Sequence, residues 1–178
     1  MGVLAFSPLI VFIWLKFRAR ARRKRERELR RIAEERAARA ITESDIDTMT
    51  GEQLEVYLMG VFRYLGFEVE HTGKRGDQGA DLILTKGGQR IACQCKRYKG
   101  QPVTNKAVQE AFTAQRIYDC QKSLVVTNSR YTRSAREAAN RCGCELIDRR
   151  RLGMIVASYR EDRLDKRWHL TELLGVQP

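Results

Sequence analysis

The sequence predicts an α/β domain with a central mixed β-sheet flanked by helices, and three observations carry that prediction. Apolar residues at helical spacing predict an amphipathic helix: Leu54, Leu58, Val61 and Leu65. The dipeptide Gly87-Gly88 separates two short strands and supplies the positive φ angles of a tight hairpin. The run Ser123–Thr127 is short, apolar and bounded by polar residues, which is typical of a buried parallel strand.

Capping and turn residues set the order of the elements. Thr50, with Gln53 three residues later, forms a capping box at the start of the first helix, and Gly66 ends that helix. Thr104 and Thr132 are the predicted caps of two later helices. The other predicted elements are strands at Phe67–His71, Asp81–Thr85, Gln89–Lys96 and Glu145–Asp148 and a helix at Leu152–Tyr159.

The hairpin closed at Gly87-Gly88 gathers three polar side chains. Its register places Asp81 directly opposite Gln94, with Cβ atoms about 4.5–5.5 Å apart. Because strand side chains alternate between faces, Lys96 shares the face of Gln94, whereas Cys93 and Cys95 point the other way. A carboxylate, an amide oxygen and an ammonium group suit a Mg²⁺-assisted reaction at a phosphate. The polar face of an ordinary half-exposed hairpin is the alternative interpretation.

The chain resembles the Mrr-like restriction endonucleases, a branch of the PD-(D/E)xK nuclease superfamily. The similar segments are TGEQLEVYLMGVFRYLGFEVEHTG, GDQGADLIL, QCK, VVTNSRYTRSAREAA and CELID, which occur in the family's order between Met49 and Leu152. The resemblance implies a restriction-endonuclease-like core with Asp81 as a metal ligand and Lys96 as the catalytic lysine. It also places Gln94 where most superfamily members carry Glu or Asp, and it implies a helix carboxylate that falls on Glu55.

On this resemblance we expect a DNA endonuclease that depends on Mg²⁺ or Mn²⁺ and acts in defence against foreign or modified DNA. The metal ligands would be Asp81, Gln94 and the backbone carbonyl of Cys95, and Lys96 would position the attacking water. Glu55 would hold a second metal or orient the first. Two alternatives stay open: a non-catalytic module that tethers DNA or a partner at the membrane, and a repair or junction nuclease. Duplex cleavage by one small domain also favours a homodimer.

The net charge of +12 is unevenly distributed, because residues 16–39 carry eight of the twelve excess positive charges. We expect this basic helical spacer, residues 18–43, to bind anionic membrane lipid, and DNA is the alternative partner. In the domain, Arg130, Arg133 and Arg136 are candidate contacts to DNA phosphates, with a plain basic surface as the alternative. Five cysteines, an odd number that includes two Cys-x-Cys pairs, indicate a reducing cytosol rather than a disulfide framework.

The N-terminal segment predicts a membrane anchor. Residues 1–15 carry no charged side chain, and an arginine-rich stretch follows from Lys16. We therefore expect a single-pass transmembrane helix at residues 1–17 with the N-terminus outside and the domain in the cytoplasm. A disordered or interfacial segment is the alternative. The predicted organisation is completed by the nuclease domain at 44–160 and a C-terminal extension at 161–178.

Overall fold

A computed structural model describes residues 8–72 and 78–161 of the chain. The helices are α1 (Pro8–Arg39), α2 (Glu43–Ile46), α3 (Gly51–Tyr64), α4 (Asn105–Ile117), α5 (Arg133–Cys142) and α6 (Arg149–Arg160). The strands are β1 (Glu68–His71), β2 (Leu82–Lys86), β3 (Gln89–Lys96), β4 (Lys122–Thr127) and β5 (Cys144–Ile147).

The strands form one mixed sheet in the order β1-β2-β3-β4-β5. Strand β2 is antiparallel to both of its neighbours, β1 and β3, whereas β3, β4 and β5 run parallel to one another. Helix α4 connects β3 to β4, and α5 connects β4 to β5, as parallel pairing requires. The predicted α/β class, the mixed sheet and the parallel strand at Ser123–Thr127 are confirmed.

The sheet is covered by helices on both faces. Helices α4 and α5 pack on one face, where Ala107, Ala111 and Ala135 lie against Val125 of β4. Helix α3 contacts β1, β2 and β3, and α6 contacts β4, β5 and α3, so these two helices form the opposite layer. Small alanine side chains let α4 and α5 approach the sheet closely.

The local signals of the domain are largely confirmed. The Thr50 hydroxyl accepts a hydrogen bond from the Gln53 backbone, and the Gln53 side chain accepts one from the Thr50 backbone. Gly87 and Gly88 have φ angles of 56° and 77°, as the predicted hairpin requires. Thr132 caps α5 with its side chain, whereas Thr104 stands at the N-cap of α4 without a side-chain hydrogen bond.

Most boundaries differ from the prediction by one residue, and the largest difference is at the junction of β5 and α6. Strand β5 begins at Cys144, and Asp148 is not its last residue but the N-cap of α6, where its side chain accepts a hydrogen bond from the Arg151 backbone. Helix α6 consequently begins three residues before the predicted Leu152. The short helix α2, capped by Thr42, was not predicted.

The described N-terminal residues, 8–38, belong to one compact unit, and a second unit begins at Arg39. Helix α1 begins at Pro8, ahead of the predicted spacer. Within the described residues, no helix has an apolar stretch long enough to cross a bilayer. The predicted transmembrane helix at 1–17 is therefore not supported where the chain is described, and its residues 1–7 lie outside that part, as do residues 162–178 of the C-terminal extension.

Candidate active site

Asp81 lies at the edge of the sheet where β2 begins and β3 ends. Its side chain is buried, and its Oδ2 accepts hydrogen bonds from Gln94 Nε2 at 2.5 Å and from the Cys95 backbone N–H at 2.6 Å. These two donors are neutral groups, and their hydrogen bonds orient the Asp81 carboxylate. The Asp81 backbone N–H donates to Cys93 O at 2.9 Å, a hydrogen bond that lies one residue off the regular register of β2 and β3.

Gln94 and Lys96, both on β3, lie on the same face of the sheet as Asp81. The observed register pairs Leu82 with Cys93 and Ile83 with Ala92, which places Asp81 opposite Gln94 as predicted. Ile83 and Ala92 pack in the cluster that includes Ala114 of α4, so this face is the one that α4 covers. The structure thus brings together three of the predicted site residues.

Lys96 has a partner that sequence reasoning missed. Its Nζ lies 2.8 Å from Glu110 Oε2 on α4, and both side chains are roughly a quarter to a third exposed, at 26% and 30%. Glu110 therefore adds a second carboxylate to the side of the site that Lys96 occupies. Nothing in the spacing of Glu110 marked it in the sequence, because only the packing of α4 on β3 brings it there.

Gly79 lets α4 approach the segment that leads into Asp81. Its φ angle is +88°, and a Cβ atom built on it would lie 2.6 Å from the backbone oxygen of Glu110. A side chain at position 79 would therefore both strain the backbone and push α4 away. Gly79 thus allows the segment before Asp81 to pack directly against the backbone of Glu110.

Glu55 lies on the opposite face of the sheet, on α3. Its Oε2 is 3.0 Å from His71 Nε2, and the exposed fractions are 17% for Glu55 and 27% for His71. His71, which was not among the predicted site residues, is thus the direct partner of this carboxylate. Glu55 also acts on Cys95, whose thiol pKa is raised by a hydrogen bond with Cys93, by burial and by the nearby charges of Asp81 and Glu55.

The raised pKa favours the protonated form of the Cys95 thiol. Cys93 and Cys95 are both buried, on the face away from Gln94, as predicted. None of the five cysteines, all of which lie in the described part, forms a disulfide.

The three candidate arginines do not share one environment. Arg130 follows β4 and is exposed at the same sheet edge as Lys96. Arg133 forms an i,i+4 pair with Glu137 at 2.8 Å. Arg136 lies 3.7 Å from Asp148 and 6.0 Å from the centre of the Tyr131 ring. Arg130 is thus the one of the three that the fold places beside the catalytic candidates.

The donor set of the site fits a hard divalent cation. It offers the Asp81 carboxylate, the Gln94 amide oxygen and the Cys95 backbone carbonyl, all oxygen donors of the kind that Mg²⁺ and Mn²⁺ bind. Within residues 8–72 and 78–161, no three His, Cys, Asp or Glu side chains cluster in a way that could hold a metal. Any metal held by described residues would therefore rely on amide, backbone and water oxygens besides Asp81.

A family model of restriction endonucleases, Mrr_cat, matches residues 46–156, which is more than half of the chain. The chain belongs to this family. The match covers all five strands described above and every candidate site residue, so the Mrr-like resemblance is confirmed. The chain therefore carries a restriction-endonuclease-like nuclease domain. No curated protein matches it.

Among solved structures, the modification-dependent restriction endonuclease AspBHI is 19% identical with a TM-score of 0.51, over 79% of this chain and 39% of that chain. The MspJI restriction endonuclease in complex with a 27-mer oligonucleotide is 18% identical, with a TM-score of 0.46, over 68% and 30%. A protein of unknown function, AF1548, is 16% identical, with a TM-score of 0.48, over 53% and 56%. The chain spans less than two thirds of each; the AspBHI match supports the fold alone.

Proposed function

We propose that the Mrr-family domain is a metal-dependent endonuclease that hydrolyses phosphodiester bonds in DNA. The observation that carries this proposal is the buried Asp81–Gln94 pair with Lys96 on the same strand face. A carboxylate is expensive to bury, and its burial beside an amide and a lysine at a sheet edge is explained by a functional site. Asp81, Gln94 and Lys96 are the catalytic residues of the proposal.

Each of the three residues has a distinct task. Asp81, held by Gln94 and the Cys95 N–H, presents its carboxyl group where β2 begins and β3 ends. Lys96 holds its ammonium group near the substrate phosphate, where it orients the attacking water and stabilises the negative charge that develops on the phosphate. Glu110 fixes the ammonium by its 2.8 Å ion pair, so Lys96 is positioned before substrate arrives.

Mg²⁺ or Mn²⁺ is the cofactor of this proposal, and Asp81, Gln94 and the Cys95 carbonyl are the residues that would hold it. When bound, such an ion neutralises charge on the phosphate oxygens and activates water. We assign an orienting role to Glu55, which lies on the other face of the sheet. It would act through His71, to which it is hydrogen-bonded.

DNA is the proposed substrate, on three supports: the family, the positive charge of the chain and the exposed position of Arg130. A role in defence against foreign or modified DNA follows from the family alone. A homodimer is part of the proposal because one domain carries one site, whereas duplex cleavage needs both strands to be cut.

Membrane anchoring of the domain on the cytoplasmic side of the cell membrane stays a prediction from the sequence. It rests on the uncharged residues 1–15 and the basic stretch that follows. Fractionation of cells that express the full chain tests it: recovery in the membrane pellet after a carbonate wash supports an anchor, and recovery in the supernatant refutes it.

The test of the nuclease proposal mixes the full chain, in mild detergent, with supercoiled plasmid in Mg²⁺, in Mn²⁺ and in EDTA. We expect nicked or linear plasmid with either metal and intact plasmid in EDTA. Asp81→Asn should abolish cleavage, whereas Arg116→Ala, an exposed cation at the far end of α4, should not. A wild-type chain that binds plasmid but leaves methylated, unmethylated and branched DNA uncut would instead establish the tethering module.

A further inference from the structure

A pocket of about 480 Å³ opens where β3 and β4 end, and we call it the strand-end pocket. It is lined by the residues that directly follow these two strands, Tyr98–Gly100 and Asn128–Arg130, together with Asp47 and Arg149. Ligands of open α/β sheets bind at the carboxyl ends of parallel strands, and its volume lies in the usual range for ligand sites, about 300–1,000 Å³.

One wall of the strand-end pocket is built rigidly around Asn128, a buried side chain. Asn128 Oδ1 accepts from the Tyr98 N–H at 2.9 Å, and Nδ2 donates to Tyr98 O and to Asp47 Oδ1, both at 3.0 Å. The Asn128 side-chain amide thereby connects the segment that follows β3 with the segment that follows β4. The wall consequently needs no rearrangement when a ligand enters, which favours binding.

The charges of the strand-end pocket do not balance. Arg149 Nη1 lies 2.5 Å from Asp47 Oδ1, so these two charges compensate each other. Lys99 and Arg130 are exposed, and neither side chain has an ion pair or hydrogen bond in the part of the chain that the structure describes. Two cations are therefore left to receive an anionic ligand.

The strand-end pocket is close to the catalytic candidates. Lys99 is three residues after Lys96, a distance that the backbone spans in at most about 10 Å. Along one strand of duplex DNA, successive nucleotides rise by about 3.4 Å, so the pocket lies within about three nucleotides of Lys96. The pocket is therefore within reach of a substrate strand whose phosphate contacts Lys96.

We propose that the strand-end pocket holds the backbone phosphate of a nucleotide that flanks the scissile bond, with Lys99 and Arg130 as its direct ligands. Asn128 and the Arg149–Asp47 pair form the wall that holds these two residues in register with Lys96. The inference rests on the proposed function for the identity of the substrate as DNA. It assigns the pocket to positioning the strand rather than to chemistry.

The experiment measures DNA binding in EDTA, where cleavage plays no part, by fluorescence anisotropy of a labelled duplex at several salt concentrations. The chains are the full-length wild type, Lys99→Ala/Arg130→Ala and the control Arg116→Ala/Arg141→Ala, which removes two exposed cations from the far edge of the sheet. The basic helix α1 is the same in all of them and cancels in the comparison.

We expect Lys99→Ala/Arg130→Ala to reduce the magnitude of the slope of log K against log salt by about 0.9, the contribution of the one phosphate that the pocket neutralises. The control should keep the wild-type slope, and the charge-preserving Lys99→Arg/Arg130→Lys should keep most of the affinity. An unchanged slope for the alanine variant, or a wild type that does not bind DNA, overturns the inference. A wild type that binds through these residues but never cuts would leave it standing and remove the nuclease proposal alone.

Discussion

At the scale of single residues, the neutral Gln94 leaves Asp81 as the one carboxylate of the hairpin cluster. The second carboxylate near Lys96 comes from α4, as Glu110. An ammonium group on a flexible stem has many rotamers, and a fixed acidic partner removes most of them. The position of Lys96 thus depends on a residue outside the hairpin.

Replacing Glu110 by Gln is expected to lower the rate of DNA cleavage while leaving DNA binding nearly unchanged. The physical reason is that Lys96 loses its charged partner and its fixed position, and a misplacement of about 1 Å can cost up to about 100-fold in rate. Single-turnover cleavage and anisotropy measure the two quantities separately.

The matched control is Glu137→Gln, which breaks the exposed pair between Arg133 and Glu137 on α5. This variant should cleave at the wild-type rate. If Glu110→Gln also keeps that rate, Glu110 does not position Lys96.

The hairpin cluster was predictable because its geometry is local. A two-glycine turn and the alternation of strand side chains fix Asp81, Gln94 and Lys96 relative to each other. Glu110 and the pairing of Glu55 with His71 were not predictable, because they depend on how separate helices pack on the sheet. The sequence carries no local sign of that packing.

At the scale of elements, the approach of α4 to the chain before β2 depends on Gly79. The positive φ angle and the close backbone oxygen of Glu110 act together at this position. The segment lies directly before Asp81, so its packing bears on both stability and catalysis.

Gly79→Ala is expected to lower the free energy of unfolding by about 2–4 kcal/mol, from backbone strain plus overpacking against α4. Gly88→Ala is the control, since Gly88 has a similar φ angle of +77° but no atom within 4 Å of the added Cβ. Urea unfolding of both variants separates the two costs. Equal losses would mean that contact with α4 contributes nothing.

Element types were predictable and some boundaries were not. Asp148 was assigned to the last strand because it follows the apolar run that ends at Ile147, yet its side chain caps α6. Asp is a favoured N-cap, so this signal was present in the sequence. The apolar strand pattern and the N-cap preference of Asp gave different predictions for Asp148, and the structure shows the cap.

At the scale of the whole molecule, one hydrogen-bond network connects segments far apart in the chain. Asp47, after α2, binds Asn128 after β4 and Arg149 at the start of α6. The Arg149 N–H also donates to Ser129 O at 2.8 Å. The network thereby links the segment before α3, the segment after β4 and the start of α6 by hydrogen bonds.

This network predicts a pH-dependent stability. The hydrogen bond from Arg149 lowers the pKa of Asp47 below its usual value, so the stability from this carboxylate is complete above its unfolded pKa, about 3.9. It is lost as the pH falls through the lower folded pKa. Because Asp47 is partly exposed, the whole effect should be about 1 kcal/mol or less.

The measurement is urea unfolding of the wild type and Asp47→Asn at several pH values. The difference between their free energies of unfolding should be constant near neutral pH and should shrink below about pH 4. A difference that does not change with pH would show that the Asp47 charge does not contribute.

The central claim, that Asp81, Gln94 and Lys96 form a nuclease site, is tested most directly by single-turnover cleavage of an end-labelled duplex. Wild type and Lys96→Ala are compared at protein concentrations that saturate binding in each case. We expect similar binding and a rate lower by about 100-fold or more for Lys96→Ala, because the group that stabilises the developing charge is gone. Equal cleavage rates for the two proteins would contradict it.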